Sequence, residues 1–142
     1  ASDERSAHSI MSSLDIDYAL VVYGGMLSYS GDDINKFIWM IRIGQNVYPD
    51  DLQEGLFYTP SGQYAIGDSA TQKMKQSIMH KFTYFKLHDV MGPNGADRTR
   101  NQRLPSSVSL DYFEEVYSSE NLLVRIYKPK PLDNLGRPLD QL

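Results

Sequence analysis

The sequence has no cysteine, only three histidines and a single tryptophan. The missing cysteine excludes a disulfide scaffold, a thiolate metal site and a thiol nucleophile, and it fits a reducing compartment best, cytoplasmic or virion interior. The histidines, His8, His80 and His88, form no His-Glu-x-x-His array for zinc, and the last two, eight residues apart, lie too far along a helix to share one metal. Each is read as a solvated side chain. Long apolar runs are lacking too: Ala19 to Tyr23 and Phe37 to Ile41 are far short of the ~20 residues of a bilayer span. The polar start, Ala1-Ser-Asp-Glu-Arg, carries no signal peptide, Met11 is a candidate native start, and secretion after removal of a leader stays open. No Gly-x-Ser-x-Gly elbow, phosphate cradle or dinucleotide fingerprint occurs, so no enzyme, cofactor or metal is expected.

What is present is an ordered composition for one domain. Of 142 residues, 41% are hydrophobic and 23% charged. The net charge of −4 hides a partition. Residues 1–72 hold three cations against ten anions, giving −7. Residues 73–103 hold Lys73, Lys75, Lys81, Lys86, Arg98, Arg100 and Arg103 against Asp89 and Asp97, giving +5. Opposed potentials of this kind steer an anionic partner or a second copy of the chain. The arginine cluster Asp97-Arg-Thr-Arg-Asn-Gln-Arg103 offers guanidinium groups for phosphates or carboxylates. The acid pairs Asp15/Asp17, Asp32/Asp33 and Asp50/Asp51 sit where caps and turns already account for aspartate.

The local pattern gives an α+β fold built from antiparallel hairpins and about three helices. Residues 1–14 read as a flexible polar arm and 15–128 as the single domain. A strand over Ile16 to Tyr23 leads through Gly24-Gly25 into a second over Met26 to Tyr29. Asp32 stands as N-cap of a helix in which Ile34, Phe37, Ile38 and Ile41 share one face, stopped at Gly44; Trp39, Met40 and Ile43 make its other side apolar, which calls for a second buried face or a covering partner. A second hairpin turns at Thr59-Pro-Ser-Gly62. A capping box from Ser69 to Gln72 opens one long helix through Phe85, residues 92–107 form a loop, Leu110 to Tyr117 a short helix, and Leu122 to Tyr127 a strand ending at Pro129. Residues 129–142 form an extended tail in which Pro131-Leu-Asp-Asn-Leu135 recurs as Pro138-Leu-Asp-Gln-Leu142. Its Leu132, Leu135, Leu139 and Leu142 are candidates for docking on a neighbouring copy.

These features favour a non-enzymatic, self-associating structural protein of viral matrix or coat type. Its partners are expected to be further copies of the chain and an anionic surface, RNA or anionic lipid. A nucleic-acid-binding module using residues 73–103 is the alternative, although an isoelectric point near 5.2 speaks against it. An enzyme whose site shows no linear motif is the third.

Overall fold

The computed structural model describes residues 3–131 and 135–138. Five helices and five strands are present among them: α1 Glu4–Ser13, β1 Ala19–Val22, α2 Asp33–Gly44, α3 Gln72–Gln76, α4 Ile78–Tyr84, α5 Leu87–Met91, β2 Ala96–Asp97, β3 Gln102–Arg103, β4 Phe113–Ser118 and β5 Val124–Pro129, with a 3-10 turn at Glu54–Phe57. The α+β class stands. None of these helices is long and apolar enough to cross a membrane.

The main sheet has the order β1-β5-β4, antiparallel throughout. Its inner face, with Val21, Phe113 and Tyr127, packs against Ala7 and Met11 of α1 and Phe82 of α4. Phe82 stacks on Tyr127 at 4.3 Å and meets Phe113 edge-on at 5.0 Å. A second apolar cluster joins Ile34, Phe37 and Ile41 of α2 to Phe57, Ile66, Met74 and Leu87.

Several sequence expectations change here for physical reasons. The loose arm over 1–14 is helical: the Asp3 carboxylate accepts from the Ser6 amide at 2.7 Å, and Glu4, Ala7, His8 and Met11 form a buried stripe at i, i+3, i+4 and i+7. Two of those four positions are polar, which conceals the stripe from a hydrophobicity pattern. β1 does not pair with Met26 to Tyr29; those residues form a turn, and β1 pairs with β5, some hundred residues later. Thr59 to Gly62 does turn, with the Gly62 amide on the Thr59 carbonyl at 2.8 Å, but no strands flank it.

The single long helix is three. Thr71, not Ser69, caps α3, and Ser77 then leaves the helical region at ψ 141° and caps α4 by accepting from the His80 amide. α4 ends because the buried Arg125 guanidinium donates to the Thr83 and Phe85 carbonyls at 2.9 and 2.7 Å, a cation on the negative helix end. The expected helix through Phe113 and Tyr117 is β4, kinked by a bulge between Glu115 and Tyr117. Within the expected 92–107 loop, β2 and β3 form a short hairpin.

Candidate functional site

The most heavily constrained polar cluster lies where the Gly24-Gly25 turn, the start of α2 and the β2–β3 hairpin meet. Gly24 admits no side chain, since a Cβ there would stand 1.9 Å from the Tyr29 carbonyl oxygen. Beside it Asp32, fully buried at the N-cap of α2, accepts from the amides of Gly24 at 2.7 Å and Asn35 at 3.3 Å. Arg100 then forks onto the same carboxylate, Nη1 to Oδ1 at 2.9 Å and Nη2 to Oδ2 at 2.5 Å. Its Nε donates to Asp97 at 2.7 Å, and Asp97 also accepts from the Tyr84 hydroxyl and the amides of Thr99 and Arg100. Thr99 returns a bond to the Gly24 carbonyl, and the Arg98 amide donates to Gly25 at 2.7 Å.

One guanidinium thus serves two buried carboxylates, and backbone amides, the Tyr84 hydroxyl and the N-terminus of α2 supply the remaining positive potential. Burial works against the charge on Arg100, but its hydrogen bonds to Asp32 and Asp97 outweigh this and hold its pKa above the ordinary value. Burial, with the nearby Asp97 charge, pushes the Tyr23 and Tyr84 hydroxyls well above the usual phenol range, so both stay protonated. The Tyr23 hydroxyl is buried without a hydrogen-bond partner among the described residues. The Asp33 carboxylate accepts from the Val22 amide at 2.8 Å, tying α2 to β1.

This clamp fixes α2, whose outward face carries Trp39, Met40 and Ile43, each more than half exposed. The Arg42 guanidinium lies 4.7 Å over the Trp39 ring while pairing with Glu54. The second buried face expected for α2 is therefore open to solvent in this chain.

The seven cations expected to form one anion-binding surface are not equivalent. Arg100 is committed to Asp32 and Asp97. Lys81 pairs with the buried Glu4 at 3.0 Å, and Lys75 donates to the Asp68 carbonyl at 2.6 Å. Lys73 is half-buried on α3, Lys86 lies over the Phe85 ring, and Arg98 and Arg103 are exposed. Arg103 borders a cleft of about 770 Å³ with Tyr64, Asp68, His88 and Ser106. Nor are the histidines all solvated. His80 is buried against Ile66, and His8 is buried with its Nε2 2.9 Å from the Lys130 carbonyl. Among the described residues no group of three or more histidines and acids could hold a metal. In the tail, Leu135 is 77% exposed, while Leu132, Leu139 and Leu142 lie outside the described residues. Sequence reasoning missed the Asp32–Arg100–Asp97 clamp; its signal was Asp32, recognised as a cap, and Arg100, recognised as a cation, without anything to join them.

No protein-family model matches the chain. Three relatives do. It is 46% identical over its whole length to the dolichyl-diphosphooligosaccharide–protein glycosyltransferase subunit stt3 of Schizosaccharomyces pombe. It is 45% identical over 94% of its length to subunit stt-3 of Caenorhabditis elegans, and 42% identical over 98% to subunit STT3 of Saccharomyces cerevisiae. These cellular glycosyltransferase subunits overturn the viral structural reading and its non-enzymatic premise. They equally displace a homo-oligomer binding RNA or anionic lipid, and a cytoplasmic or virion-interior location; charge asymmetry and the absence of cysteine fix neither partner nor compartment. The chain is similar to a segment of these proteins and spans 18 to 20% of their length.

Proposed function

We propose that this chain is one domain of a longer STT3-type subunit that takes part in transferring an oligosaccharide from dolichyl diphosphate to protein. The observation that carries this is identity of 42 to 46% extending over nearly every residue of the chain, which covers the buried clamp, the core and the exposed faces together. The geometry supports a positioning role within that enzyme. Asp32, Arg100 and Asp97 lock the Gly24-Gly25 turn to the start of α2, and the locked helix presents Trp39, Met40 and Ile43 outward. A large apolar face on a rigid mount is what a domain embedded in a larger catalytic body presents.

The test uses the longer polypeptide that carries this chain, purified from membranes. With a dolichyl-diphosphate-linked oligosaccharide and a polypeptide acceptor, it should yield glycosylated acceptor, and Arg100→Leu should lower the yield more than Arg98→Ala. A folded preparation with no transfer above a heat-inactivated control would refute the reading.

A further inference from the structure

The main sheet has a second face. β1 and β4 are both edge strands around β5, and α1 and α4 cover only the side that carries Val21, Phe113 and Tyr127. Because side chains alternate, Leu20 and Ile126 stand opposite each other on the other side, with Tyr117 next in the same row, and Val22 faces Val124 in the row beside it. The bulge adds Val116. Leu20 is 57% exposed, Tyr117 53% and Val116 43%. A sheet with one face in water normally reads polar on that face. Here the centre of the outer face is aliphatic and aromatic, and the Lys128–Glu114 ion pair at 3.0 Å marks its border.

We infer that this outer face is the docking surface for another segment of the same polypeptide, one lying outside these 142 residues. The inference rests on the reading of the chain as one domain of a longer subunit. Two observations favour a tethered occupant. The matched relatives are about five times as long as this chain, so some four fifths of such a polypeptide is available to cover the face. The face is also small. Six side chains form it, whereas a stable interface between separate proteins engages roughly 20 to 30 residues a side. A segment of the same chain does not lose the translational freedom that a separate partner loses on association, so a modest apolar face suffices to hold it.

The experiment places a photo-reactive benzoylphenylalanine at Tyr117, and in a second variant at Leu20, of the longer polypeptide in its native membrane preparation. A control carries it at Glu120, in the exposed turn between β4 and β5. Both test positions should cross-link to residues of the same polypeptide outside this chain, mapped by mass spectrometry, at several-fold the yield of the control. Cross-links to a different subunit, to a second copy or to lipid, or no yield above the control, would each overturn the inference. Transfer activity is measured on the same preparations, so loss of the glycosyltransferase reading and loss of the docking inference are seen separately.

Discussion

Arg100 and Asp32, 68 positions apart in sequence, meet through two parallel hydrogen bonds in a site where the carboxylate is fully buried. The same guanidinium reaches Asp97, so its removal leaves two buried acids with no cation between them. Arg100→Leu is expected to destabilise the fold by about 3–5 kcal/mol, the usual consequence of breaking a buried ion pair from one side. Arg98→Ala, at an exposed neighbour, should stay within about 0.5 kcal/mol. Urea denaturation of the two variants against the parent measures both.

The two tyrosines beside the clamp should respond in opposite ways. Tyr84 donates to Asp97 at 2.7 Å, and Tyr84→Phe removes a donor from a buried charge, with a loss of about 1–3 kcal/mol. The buried Tyr23 hydroxyl has no hydrogen-bond partner among the described residues, so Tyr23→Phe should be neutral or slightly stabilising. Thermal melts of the pair decide the matter, and a large loss for Tyr23→Phe would show that its hydroxyl is satisfied after all.

How much of this was legible in the sequence can be seen at α2 and α1. Asp32, the apolar spacing from Ile34 to Ile41 and the stop at Gly44 lie within one short window, and the helix forms as that local information dictates. α1 obeys the same spacing, but Glu4 and His8 occupy its buried stripe because Lys81, the amides of Asp111 and Tyr112, and the Lys130 carbonyl meet them there. Those partners come from more than seventy residues away, and no window holds both sides. Arg125 likewise ends α4 from the far strand, and the apolar period from Met74 to Phe85 is broken earlier, at Ser77, whose extended backbone and capping hydroxyl no hydrophobic spacing reveals.

Glu4 supplies a third prediction. Its Oε1 accepts from the amides of Asp111 and Tyr112 at 2.7 and 2.6 Å, and its Oε2 from Lys81 at 3.0 Å. Glu4→Ala should cost about 1–3 kcal/mol, since three donors lose one buried acceptor. Hydrogen exchange should quicken at the Asp111 and Tyr112 amides and along α1 first. Unchanged exchange at those amides would contradict the assigned contacts.

His80 supplies a dependence on pH. Burial pushes its pKa down to about 4, with Lys75 and Lys81 adding repulsion, against the opposing bond to the Ile66 carbonyl. In the unfolded chain the imidazole titrates near the ordinary value of about 6.5. Between these values the unfolded state binds more protons, so stability falls as pH drops from about 6.5 to 4, by on the order of 3 kcal/mol for this one group. His80→Phe should flatten that part of the stability–pH curve relative to the parent. Curves of equal slope would place His80 in water.

Whether this chain serves as a domain of an STT3-type subunit is read most directly in living fission yeast. The segment of its stt3 that aligns with this chain is replaced by these 142 residues, and the glycan occupancy of a reporter glycoprotein is read from its mobility on a gel. Occupancy should be close to that of the unmodified strain. A chimera that is expressed and retained in membranes, yet leaves the reporter unglycosylated, would contradict it.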